Sequence, residues 1–186
     1  MEGNIDERLD RVRELLKDPD FLKGNGLSNE VNIRMFCYEA KDEMRVRHFV
    51  RQILTDQTLP CRLKENNLSE IFLQCCEDKR ILSRMADQEK KRGKDQLQKM
   101  IEKSINVQAY VDKICSTPPE KGDVLLLTGV GDMFPFMRIH MLLEALQPRV
   151  GGVPILVMYP GAFDGRHVKL FDRLKPNPYY RAFNVI

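Results

Sequence analysis

The sequence predicts an α/β fold: a mostly parallel central sheet flanked by helices, with a helical insertion at roughly 67–117 between the amino- and carboxyl-terminal strands. Three observations carry this. Val124-Leu125-Leu126-Leu127 and Ile155-Leu156-Val157-Met158 are continuous apolar runs, as expected of interior strands covered on both faces. Between them Ile139, Leu142, Leu143 and Leu146 recur at helical spacing, so the three segments read as a βαβ unit, right-handed by the general rule. The stretch from 67 to 117 is helical in periodicity, and Pro118-Pro119 marks where the composition changes.

The elements follow in chain order. Ile5, Leu9, Val12, Leu15 and Leu16 lie at helical spacing until Asp18-Pro19 ends the pattern. This helix is acidic, since residues 1–20 hold seven Asp/Glu and four Lys/Arg. Lys23-Gly24-Asn25-Gly26 reads as a loop. In 31–38 the odd positions Val31, Ile33, Met35 and Cys37 are apolar, which predicts a strand with one face covered more fully than the other. A helix from about Lys41 carries the stripe Val46, Phe49, Val50 and Ile53, and Pro60–Lys64 reads as a short strand. In the insertion, Leu68, Ile71, Phe72, Cys75 and Cys76 form one buried stripe, and Val107, Tyr110, Val111 and Ile114 form another. After the second interior strand, the tail 179–186 has strand propensity and completes the sheet. The chain 1–186 reads as one α/β domain.

Composition excludes several classes of function. A net charge of +3 is too small to imply nucleic-acid binding by itself. No apolar run approaches the roughly 20 residues of a membrane-spanning helix, and the polar start Met1–Glu7 is no signal peptide, so a cytoplasmic location is expected. Cys37, Cys61, Cys75, Cys76 and Cys115 are odd in number and lack C-x-x-C spacing, and His48, His140 and His167 lie far apart. Neither a disulfide framework nor a protein-built metal site is expected, and no cofactor. None of the five serines sits in a nucleophile motif. Residues 79–103 hold nine Lys/Arg and four Asp/Glu without an interleaved aromatic residue, which reads as a solvated helix face before a nucleic-acid contact.

Three constellations remain. Thr128-Gly129-Val130-Gly131-Asp132-Met133-Phe134-Pro135 follows an interior strand, where α/β sheets favour ligands and the next helix could offer amides to a phosphate. It lacks the third glycine of a dinucleotide fingerprint and any Walker lysine. A structural turn is therefore preferred, with Asp132 as an N-cap and Pro135 in the first helical turn, and a degenerate nucleotide-binding domain is the alternative. Arg138 and His140 lie on the helix otherwise lined by Ile139, Leu142, Leu143 and Leu146, where residues two apart point to different sides. Arg138 reads as a surface cation or a partner of Asp132, and His140 as a packed histidine. Tyr159-Pro160-Gly161-Ala162-Phe163-Asp164-Gly165 should lie beside the first loop. Phe163, Phe134 and Phe136 would then put aromatic surface on one rim, suited to docking a protein.

Together these segments resemble the BrxB family of BREX (bacteriophage exclusion) defence systems. The resemblance rests on Leu127–Gly131 through Pro135-Phe136, Arg138 and His140 to Leu146-Gln147, on Tyr159–Gly165 with Leu170-Phe171, and on Tyr179–Phe183. Gly26–Val31 with Asp42-Glu43 and Arg47 echoes it near the amino end. The departures are Asn32-Ile33 and Glu39-Ala40, which bear on the first strand alone. The resemblance implies a non-enzymatic adaptor that binds the PglZ phosphatase-like protein and links it to the BrxC ATPase, with no catalytic residue to carry over.

Overall fold

The computed structural model describes residues 3–23, 32–163, 168–174 and 184–185. The amino-terminal helix α1 (Ile5–Leu15) is capped by Asn4, whose side chain accepts from the Asp6 amide. The helix ends before Asp18-Pro19, as expected, and a separate single turn, α2 (Pro19–Leu22), follows, with the extended Asp18 as its cap and Pro19 in its first position. Strand β1 (Ile33–Tyr38) leads through a 3₁₀ turn, Ala40–Asp42, into α3 (Glu43–Thr55). Strand β2 (Arg62–Asn67) begins two residues after the expected start, at Arg62, and runs on to the Asn67 cap of α4 (Leu68–Asp78).

The insertion is not one long helix. It continues from α4 through α5 (Met85–Arg92), α6 (Lys94–Ser104) and α7 (Val107–Ile114). Its breaks have local causes: Arg80 adopts φ 54°, Gly93 adopts φ 78° between α5 and α6, and the Asn106 side chain caps α7 by accepting from the Ala109 amide.

Strand β3 (Asp123–Thr128), helix α8 (Ile139–Leu146) and strand β4 (Ile155–Phe163) form the expected βαβ unit, with Leu125, Leu126 and Leu127 opposite Ile155, Leu156 and Val157. The short β5 (Val168–Leu170) turns back antiparallel on β4, and β6 (Asn184–Val185) joins the far edge. The sheet order is β2-β3-β4-β1-β6, and every pair in that path is parallel. Of the tail, Asn184–Val185 does enter the sheet, pairing with Arg34 and Met35; residues 175–183 and the loop at Gly24–Gly26 lie outside the described residues.

Alternation sorts the strand side chains into two cores. Met35, Leu125, Leu127, Ile155 and Val157 pack beneath α4, α6, α7 and α8, while Phe36, Val124, Leu126, Leu156 and Met158 pack beneath α1 and α3. In β1 the odd positions Ile33, Met35 and Cys37 are all buried, while the even face is buried at Phe36 and Tyr38 and half-buried at Arg34, so the odd face is the more fully covered one, as expected. On the even face, within the core formed with α1 and α3, the Arg8 guanidinium lies 4.9 Å from the Phe36 ring centre and donates to the Cys37 carbonyl.

At the amino end of β3, Asp123 is fully buried. It accepts from Arg62 Nε at 2.8 Å and from the Glu120 amide at 2.7 Å, and Lys64 Nζ lies 2.9 Å away. This closes the sheet on the side opposite the candidate site.

Candidate functional site

The carboxyl end of β3 is built by close packing. Thr128 Oγ1 donates to Glu65 Oε1 at 2.7 Å. Gly129 follows at φ 69°, where a Cβ would lie 2.5 Å from Asn67 Oδ1, the oxygen that caps α4. At Gly131 a Cβ would meet Pro160 at 2.9 Å and the Phe171 ring at 3.0 Å. Both glycines are thus required by contacts within the protein itself.

The turn after Gly131 differs from the expected one. Residues Gly131–Met133 form a 3₁₀ turn, and the long helix starts only at Ile139, so the glycines do not lead directly into a row of α-helical amides. Asp132 caps nothing. Its Oδ2 accepts from Arg47 of α3 at 2.9 Å, so the partner expected in Arg138 is Arg47 instead. Pro135, joined to Phe134 by a cis peptide, precedes the helix and stands exposed.

Arg47 belongs to a longer chain of partners. Its Nε donates to Glu43 Oε1 at 2.6 Å, and Glu43 Oε2 accepts from the Tyr38 hydroxyl at 2.7 Å. Burial, and then the Glu43 carboxylate, push the Tyr38 phenol above its ordinary range, while Glu43 and Asp132 raise Arg47. Tyr38, Glu43 and Arg47, with Glu65, Asn67 and Thr128, line a polar cleft of about 250 Å³ over the carboxyl ends of β1, β2 and β3. Sequence reading missed Tyr38, Glu65 and Asn67 as neighbours of this loop; the available signal was the Glu43–Arg47 spacing of four on one helix.

On the other side of the loop, a mostly apolar cleft of about 220 Å³ brings all three constellations together. Phe134, Arg138, His140 and Tyr159 line it along with Val130 and Leu170. The expected meeting of the loops after β3 and in β4 is therefore observed. Burial and the nearby Arg138 lower the His140 pKa, against a smaller opposing effect of Glu144, which favours the neutral, packed imidazole.

The aromatic rim is narrower than expected. Phe134 is 41% exposed, but Phe136 stacks on Phe72 at 5.0 Å and Phe163 is half-buried opposite Val168. Asp164 lies outside the described residues. An open groove continues from the cleft across Phe134, Pro135, Phe136 and Arg138 to Val107 and Met141. Phe134 and Arg138 thus form a ridge with a depression on either side.

Among the described residues, no group of three or more His, Cys, Asp or Glu is arranged to hold a metal ion, and no helix is long and apolar enough to cross a membrane. Burial pushes the Cys37 thiol up to about 12 and Cys76 up to about 11, so both stay protonated and unreactive near neutrality.

A family model described as BREX protein BrxB matches residues 64–185. The BREX protein BrxB of Bacillus cereus (strain H3081.97) is 33% identical over 189 residues, covering 98% of this chain and 97% of its own length. The BREX protein BrxB of Escherichia coli O9:H4 (strain HS) is 28% identical over 183 residues, covering 98% and 92%. No solved structure matches the chain.

Proposed function

The chain belongs to the BrxB family, and from that premise we propose that it serves a BREX antiphage defence system as a non-enzymatic adaptor, binding PglZ and linking it to the BrxC ATPase. One observation carries the docking surface: Phe134 stands exposed beside Arg138 on a ridge between two apolar depressions. Aromatic rings and guanidinia are both enriched at protein interfaces, and the flanking hollows offer room for side chains of the partner. The titratable groups nearest the loop are engaged with one another, in the chain Tyr38–Glu43–Arg47–Asp132 and the pair Glu65–Thr128, which suits support more than turnover.

The test is co-purification of the full chain with PglZ, alone and with BrxC. Phe134→Ala and Arg138→Ala should each weaken the complex by about tenfold or more while the melting temperature holds, as truncation of an interface anchor does. Undiminished binding by both variants, or no complex with PglZ at all, removes the reading. The nucleotide alternative has less support, because the space beside Gly129 and Gly131 is filled by Asn67, Pro160 and Phe171. Calorimetry with ATP and GTP checks it.

A further inference from the structure

The segment 79–103, which runs from the end of α4 through the hairpin made by α5 and α6, carries a different kind of surface. Lys79, Arg80, Arg84, Lys90, Lys91, Arg92, Lys94, Lys99 and Lys103 are all exposed. Among the described residues, none of these nine makes an ion pair. The four acids interspersed among them, Asp87, Glu89, Asp95 and Glu102, are exposed too and form no ion pair with them, leaving a local surplus of five positive charges. The flanking Asp78 is taken by Lys113 at 2.7 Å. Elsewhere several exposed cations are matched: Lys17 with Glu14, Lys41 with Glu39, Arg45 with Asp6, Arg47 with Glu43, Arg149 with Asp112.

Helix electrostatics account for only part of this set. Lys90, Lys91 and Arg92 sit in the last turn of α5 and Lys103 in the last turn of α6, where a cation complements the helix dipole. Three others oppose their local setting. Arg80 holds φ 54°, a conformation that favours glycine. Arg84 occupies the N-cap of α5 without a capping bond, and Lys94 is the first residue of α6, both at helix ends that favour anions. Lys99, in the middle of α6, gains nothing from the dipole.

We propose that this segment binds the phosphate backbone of duplex nucleic acid without reading sequence. Two features favour phosphate over an acidic protein or a single strand. The exposed large apolar side chains, Met44, Leu73, Phe134, Met141 and Phe171, all lie outside 79–103, so the segment lacks the buried anchors of a protein interface. It also carries no aromatic ring on which an unpaired base would stack. Cations held by an otherwise polar surface are what backbone contact requires.

The experiment is fluorescence anisotropy of the full chain with labelled DNA and RNA duplexes of about 20 base pairs, titrated across potassium chloride. Contact with about five phosphates predicts an affinity falling about 500-fold between about 50 and 200 mM salt. The triple variant Arg80→Gly, Arg84→Ser, Lys94→Ala replaces each residue by one its position favours. It should bind at least about 30-fold more weakly and lower the salt slope by about three, with its melting temperature unchanged or raised. Binding of either duplex with this loss supports the proposal, and the two arms tell DNA from RNA. Undetectable binding at low salt, an unchanged slope in the triple variant, equal affinity for poly-glutamate, or preference for a single strand each overturns it.

Discussion

The rim of the sheet and the α5–α6 hairpin treat charge in opposite ways. On the rim Asp132 and Glu43 are matched with Arg47, and at the opposite end of the sheet Asp123 is matched with Arg62 and Lys64. On the hairpin and the turn that leads into it, nine exposed cations have no ion pair among the described residues. The apolar content is reversed as well, since Phe134 and Met141 stand exposed near the rim while the large apolar side chains of 79–103 turn inward. Matched charges position a shape, whereas unmatched ones generate a field. Substitutions should therefore register as stability at the rim and as salt-dependent binding at the hairpin.

The largest expected effect on stability is Gly129→Ala. It forces a side chain into φ 69° and toward the Asn67 oxygen 2.5 Å away, which endangers the α4 cap. A loss of about 2–3 kcal/mol follows, read as a melting temperature lower by about 5–10 °C. A neutral result would mean that the rim tolerates loosening and the contrast is weaker than drawn.

Next is Asp123→Asn, expected to cost about 2 kcal/mol at neutral pH in denaturant titration. Burial alone would raise the Asp123 pKa, but the Glu120 amide and the Lys64 and Arg62 cations outweigh it and hold the carboxyl below the usual range. The sign follows directly. The stabilisation is complete above the unfolded value of about 3.9 and disappears as the pH falls through the lower folded value. Wild type and variant should converge in that acid window and differ above it. A gap that instead widened on acidification would contradict the pairing.

Asp132→Ala should cost only about 0.5 kcal/mol, because its bond to Arg47 joins two half-exposed side chains and is screened by salt. The smallest effect on stability belongs to Phe134→Ala, within about 0.5 kcal/mol by thermal melting, since the ring is already in water on one side. A large loss there would make Phe134 a packing residue and take the ridge away.

The βαβ unit was legible because VLLL and ILVM are apolar without interruption and α8 keeps strict helical spacing. Strand order was not, since a strand's hydrophobicity reports burial and not its neighbour; nothing local in Ile33–Tyr38 says that it lies between β4 and β6. The candidate loop divided along the same line. Its meeting with the β4 segment followed from parallel adjacency, whereas the partner of Asp132 is 85 residues away on a helix of the opposite face and leaves no trace in local spacing. Asp132 and Pro135 were misread as helix-start signals because both residue types suit that role in isolation, while Gly131–Met133 closes as a separate short turn.

Helix α5 has no fully buried side chain, Met85 being only half-buried against the core, and it meets α6 through Gly93, a residue with nothing within 4 Å of where a Cβ would stand. Such a segment can come undone while the sheet stays intact, because little apolar surface is lost when it opens. Its amides should exchange with deuterium well before those of β3 or β4, and limited trypsin should nick the native chain first at Lys90, Lys91 or Arg92.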